Sequence, residues 1–107
     1  MQLFQCTDNL VQLAGEHTVL LVQFGADTCA PCRTIQQRIN RWTEQHPSVY
    51  SVYVPIETFP EIAAQESLFS VPTILVFVDG RRTICESGYF SLDKLLSQVQ
   101  RYLDLLF

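Results

Sequence analysis

The chain has 107 residues, of which 48% are hydrophobic and only 17% charged, and its formal charge is −4. Its apolar content, with seven Phe, four Tyr and one Trp, excludes disorder, and its length suits one hydrophobic core, so a single domain over residues 1–107 is expected. Eleven acidic against seven basic side chains argue against a nucleic-acid partner, which needs a basic face; charge below the usual ~25% hints at an exposed apolar patch.

Residues 1–8 carry neither a basic stretch nor a long apolar run. They do not read as a secretory signal, and a cytoplasmic location is expected. The apolar runs 19–22 and 74–78 fall far short of the ~20 residues that span a bilayer, so no membrane partner is expected either. A short helix is predicted over 9–16, capped by Thr7 or Asp8, with Leu10, Leu13 and Ala14 on one face. Residues 19–25 read as a buried strand with one polar interruption, Gln23. A helix over 31–46 follows, its apolar stripe formed by Cys32, Ile35, Ile39 and Trp42, and Pro47 ends it.

Residues 49–56, rich in Val and Tyr, are a second strand. Thr58-Phe59-Pro60-Glu61 has the form of a capping box opening a helix to Ser67. Residues 71–78 form an apolar strand, and Asp79-Gly80 is a hairpin turn because both positions tolerate positive φ. The returning strand over 82–88 is polar and suits a sheet edge. Ser91 caps a last helix with Leu92, Leu95, Leu96, Val99, Leu103 and Leu106 on one stripe. This order describes an α/β sandwich around a mixed sheet.

Chemistry concentrates at Cys29-Ala30-Pro31-Cys32, at the junction of the first buried strand and the long helix. A C-x-x-C pair there is a redox signal. The free N–H groups and dipole of the helix N-terminus favour a thiolate at Cys29, and Pro31 fits a first turn that needs no N–H. Cys32 shares the inward stripe, so Cys29 is the attacking thiolate and Cys32 the resolving thiol. Lowering a thiol pKa from ~8.5 to ~7 raises its ionised fraction at pH 7 from ~3% to about half. A structural staple is the weaker reading, since closing so short a loop contributes only about 2 kcal/mol. Zinc needs four ligands, whereas this motif supplies two and Cys6, Cys85, His17 and His46 are scattered.

The chain resembles the thioredoxin family through residues 22–32 (Val-Gln-Phe-Gly-Ala-Asp-Thr-Cys-Ala-Pro-Cys), Val71-Pro72-Thr73, and Asp79-Gly80 followed by Gly88. The resemblance implies a thioredoxin fold: a mixed central sheet of four to five strands flanked by about four helices. It implies a protein-disulfide reductase cycling Cys29 and Cys32 between dithiol and disulfide, with no organic cofactor. Ala30, Pro31, Val71 and Pro72 would touch substrate, and Pro72 would be cis, against the trans preference of most X–Pro bonds. The implied partners are disulfide-containing proteins and an electron-donating reductase, for a monomer or weak dimer.

Departures are specific. Thr28 and Gly25 stand where the family commonly has aromatics, Gln23 where it has a buried Asp, and Tyr53 where it has Lys. Glutamine is no proton acceptor at neutral pH, so resolution by Cys32 is expected to be slower or to use water. These departures keep open a second reading, a non-catalytic or redox-sensing thioredoxin-fold binding module. Cys6 and Cys85 are read as buried structural thiols, Trp42 as core-edge packing, His17 and His46 as helix-end residues, and Arg81-Arg82 as a solvated hairpin tip. Leu103 and Leu106 are assigned to the core, with Leu105 and Phe107 free for a partner.

Overall fold

A computed structural model describes residues 1–107. Its elements in chain order are β1 (Gln2–Leu3), α1 (Leu10–Glu16), β2 (Val19–Gly25), α2 (Ala30–Glu44), β3 (Val49–Pro55), α3 (Pro60–Gln65), β4 (Thr73–Val78), β5 (Arg81–Ser87) and α4 (Leu92–Leu106). The sheet runs β1-β3-β2-β4-β5. Strands β1, β3 and β2 are parallel, and β4 runs antiparallel to both of its neighbours, β2 and β5. The mixed sheet and four helices agree with the expected architecture, and β1, two residues long, is the addition. No helix is long and apolar enough to cross a membrane.

Strand β2 lies at the centre and every one of its residues is buried, which is why its sequence is almost continuously apolar. Side-chain alternation divides the core into two layers. Val19 and Leu21 pack with Ile39 of α2 and with Leu92, Leu95, Leu96, Val99 and Leu103 of α4. Leu20, Val22 and Phe24 pack on the other face with Leu10, Leu13 and Ala14 of α1 and Ala63 of α3. On α2, Cys32 and Ile39 are buried, while Ile35 and Trp42 are half-buried against the first layer. Asp79 and Gly80 both adopt positive φ, 50° and 80°, so Val78 and Arg81 pair directly across a two-residue turn.

Several expectations are corrected. Asn9, not Thr7 or Asp8, caps α1 by accepting from Gln12 N–H at 3.1 Å. Asp8 instead closes a turn by accepting from Gln5 N–H at 2.7 Å. Thr58 caps nothing: Phe59 occupies the cap of α3 with no side-chain bond, and Pro60 begins the helix. The Ser91 cap is present, accepting from Lys94 N–H at 3.1 Å. Leu106 lies in the exposed last turn of α4, whereas Leu103 is buried. Cys6 and Cys85 are both free and exposed. Cys6 sits in the turn before α1, and Cys85 lies on the outer strand β5, where only Ile84 is buried.

Candidate active site

Strand β2 ends at Gly25, and after a short loop the chain enters α2 with Cys29 as its N-cap. Cys29 N–H donates to Ala26 O at 3.0 Å, which turns the loop back towards the strand. Pro31 occupies the first turn of α2, where a missing N–H costs no helical bond. Cys29 and Cys32 form a disulfide with a Cα–Cα distance of 5.3 Å. Cys32 N–H donates to Cys29 Sγ at 3.2 Å, so the helix end directs a backbone donor at this sulfur. Cys32 is fully buried and Cys29 is half-buried. This asymmetry matches the expected division between an accessible and an inward sulfur.

Behind the disulfide lies Gln23, fully buried. Its Nε2 donates to Cys32 O at 2.8 Å, while its Oε1 has no partner. The side chain therefore ties β2 to the first turn of α2 through an amide rather than a carboxylate. Gln23 pairs in register with Tyr53 and Gly25 with Pro55. A Cβ built at Gly25 would lie 2.8 Å from both Cε2 and Cζ of Tyr53, and closer still to its hydroxyl. The Tyr53 ring thus occupies the space over Gly25 that a larger side chain would need. Two departures from the family pattern, Gly25 and Tyr53, are one packing arrangement.

Burial pushes the Tyr53 phenol above its ordinary pKa; Glu57 and Asp27 push the same way and Arg33 opposes them. The hydroxyl is consequently neutral at physiological pH and supplies no cation beside Gln23. The neighbouring charges are held by the backbone: Asp27 N–H donates to Glu57 Oε2 at 3.2 Å, and Arg33 Nη2 donates to Asp27 O at 3.0 Å.

The register brings Thr73 opposite Phe24, so β4 begins at the end of the sheet where β2 finishes. The Val71–Pro72 peptide is cis, as the resemblance implied. Pro72 is buried, Val71 half-buried, and Ala30 and Pro31 exposed. Gly88 N–H donates to Pro72 O at 2.9 Å, and Thr73 Oγ1 donates to Ser70 O at 2.8 Å. Away from this end, His17 stacks on Tyr50 and His46 on Trp42, which accounts for both imidazoles without catalysis. Arg81 and Arg82 are exposed at the hairpin, as expected. No three His, Cys, Asp or Glu side chains gather as a cation site.

The fit of Tyr53 over Gly25 and the exposure of Phe69 and Tyr89 are not legible from local sequence pattern. A small residue beside a large one on paired strands signals the first, once register is known. Aromatics lying outside every periodic pattern signal the second.

The buried cysteine behind an accessible one, at a strand–helix junction on the same end of the sheet as a cis-proline loop, defines a thiol–disulfide exchange site on an α/β sandwich. The chain belongs to the thioredoxin family, whose family model matches residues 5–101. It is 35% identical over 66 residues to thioredoxin-2 of Pyricularia oryzae, covering 62% of this chain and 39% of that protein. It is 27% identical over 93 residues to a thioredoxin of Pyropia yezoensis, covering 86% of this chain and 87% of that one. The chain therefore spans well under half of the fungal relative's length and most of the algal relative's. The structure of Fasciola hepatica thioredoxin superposes with a TM-score of 0.83 at 27% identity, covering 94% of this chain and 98% of that one. Family and cysteine pair together support thiol–disulfide oxidoreductase activity on proteins.

Proposed function

We propose that the chain works in the reducing direction, with Cys29 as nucleophile and Cys32 as resolving thiol. The observation that carries this is the asymmetry of the pair: Cys29 caps α2 and receives the Cys32 N–H, while Cys32 is buried behind it. In the reduced state the Cys29 thiolate attacks one sulfur of a substrate disulfide. A mixed disulfide forms, and the substrate's other sulfur leaves as a thiolate that takes a proton from solvent. Cys32, deprotonated, then attacks Cys29 Sγ and expels the second substrate thiolate. Two electrons have passed to the substrate, and the Cys29–Cys32 disulfide is re-reduced by an external dithiol or reductase. Ala30, Pro31, Val71 and Pro72 form the contact surface for substrate around this step.

Gln23 accepts no proton at neutral pH, so the Cys32 proton passes to water and resolution is the slow step. The reducing direction also assigns the chain to a reducing compartment, the cytoplasm, acting as one unit and as a monomer or weak dimer. The test is insulin reduction driven by dithiothreitol, comparing wild type with Cys29→Ser. Loss of turnover in the variant is expected; equal rates overturn the proposal and favour the binding-module reading, which the amide at Gln23 also suits. Cys32→Ser should accumulate mixed disulfides through Cys29, and accumulation through Cys32 in the reciprocal variant would reverse the assignment.

A further inference from the structure

Residue 32 is held through both polar groups of its backbone. Its N–H donates to Cys29 Sγ at 3.2 Å, and its carbonyl oxygen accepts from Gln23 Nε2 at 2.8 Å. Gln23 belongs to β2, the central strand, and pairs in register with Tyr53 on one side and Ile74 on the other. The two bonds therefore run from the middle of the sheet, through residue 32, to the more accessible sulfur. Gln23 and Cys32 are both fully buried, so water does not compete for the bond between them.

The amide is kept at a cost to stability. Its Oε1 is buried without a partner, and an unpaired buried acceptor has lost the hydrogen bonds it made to water. Turning the amide over brings no relief, because it would set Oε1 against the Cys32 carbonyl oxygen, one acceptor against another. A methionine would fill a similar volume and strand no acceptor. Packing alone thus does not account for glutamine here. The one hydrogen bond its side chain makes, to Cys32, does.

We infer that Gln23 is a positioning residue for disulfide closure: its amide, bonded to the Cys32 carbonyl, keeps residue 32 in place against Cys29 when the pair is reduced or in a mixed disulfide. This role rests on the exchange reaction proposed above and deepens it. In the closing step Cys32 gives its proton to water and its sulfur bonds to Cys29 Sγ. The S–S bond between Cys29 and the substrate breaks, and the substrate sulfur leaves with the electron pair and is protonated by solvent. Gln23 takes no part in that proton transfer. It contributes alignment, because a sulfur already held at its target needs less ordering before it attacks, which raises its effective concentration.

The test replaces Cys6 and Cys85, both exposed, with Ser in every protein and compares Gln23 with Gln23→Met. Neither side chain is a base at neutral pH, so a difference between them reads the amide contact and not proton removal. Equilibration with reduced and oxidised glutathione gives the effective concentration of the closing thiol. It should fall about tenfold in Gln23→Met, which moves the potential by about 30 mV to a less negative value. Release of glutathione from the Cys29 mixed disulfide, followed in quenched samples, should slow by a similar factor. A role in packing alone would shift the unfolding midpoints of oxidised and reduced protein together and leave the potential where it was. An unchanged or more negative potential overturns the inference. Should Gln23→Met fail to fold, the wild-type protein decides: in the reduced form, NMR scalar coupling across the hydrogen bond between Gln23 Nε2 and the Cys32 carbonyl carbon upholds the inference, and its loss on reduction overturns it. If wild type reduces no insulin, the exchange reading fails by itself, while the glutathione equilibrium still decides the role of Gln23.

Discussion

Replacing Gly25 with Ala isolates the contact that distinguishes this site. The new methyl carbon would lie 2.8 Å from two ring carbons of Tyr53, well inside the ordinary carbon–carbon separation of about 3.5–4.0 Å. Relief requires the Tyr53 ring to swing outward, or β2 and β3 to part where Gly25 pairs with Pro55. Overpacking of this kind costs about 1–3 kcal/mol. Against it stands the loss of unfolded-chain freedom on changing Gly to Ala, which stabilises by about 0.4–1 kcal/mol. The net expectation is a destabilisation of about 0.5–2 kcal/mol. In a Tyr53→Ala background the obstructing ring is gone, and the same substitution should be neutral or stabilising. The coupling energy of the double-mutant cycle is therefore about 1–3 kcal/mol. Denaturant unfolding of the four oxidised proteins gives it, provided their m-values agree. Equal costs of Gly25→Ala in both backgrounds would refute the packing argument.

Other substitutions probe the remaining features. Gln23→Asp places a carboxyl at a fully buried position with no cation supplied by Tyr53, so its folded pKa rises above the ordinary value of about 3.9. A rise of about three units corresponds to about 4 kcal/mol; the variant should be most stable below pH ~4 and weaken as pH climbs through the raised value, as urea midpoints at pH 4 and 8 will show. Its insulin turnover should gain a pH dependence between about pH 6 and 9, and an unchanged profile would remove Gln23 from the account of slow resolution. Tyr53 is also raised, by burial first, so the stability it contributes is intact below pH ~10 and declines above it; Tyr53→Phe should flatten that alkaline decline in thermal unfolding. Asn9→Ala should cost about 1 kcal/mol through loss of the α1 cap, whereas Thr58→Ala should leave the unfolding midpoint unchanged because Thr58 makes no cap bond.

Much of this molecule follows from local pattern. The apolar run of β2, the stripe of α4, the Asp79-Gly80 turn and the Cys29-to-Cys32 spacing each depend on residues close along the chain, where the periods of strand and helix are properties of the backbone. For the same reason the inward position of Cys32 and the more accessible one of Cys29 could be read from the helix stripe. Helix ends were less legible. Thr58 has the right spacing for a capping box, but Pro60 begins α3 with Phe59 at its cap position, and residue type alone does not choose between competing caps.

What the sequence determined by itself is the order of elements, the two faces of the sheet and the position of the redox pair, because each is specified by neighbours within a few residues. Tertiary structure alone decided three other matters. Cys85 is exposed because its strand lies at the edge of the sheet, and strand order is set by long-range pairing. Gly25 is required small because Tyr53, far along the chain, arrives over it through the β2–β3 register. Pro72 and Gly88 are joined only because β4 and β5 pair and bring the loop before β4 and the loop after β5 together. Each is a contact between segments remote in sequence, and burial and packing depend on which segments meet rather than on either one alone.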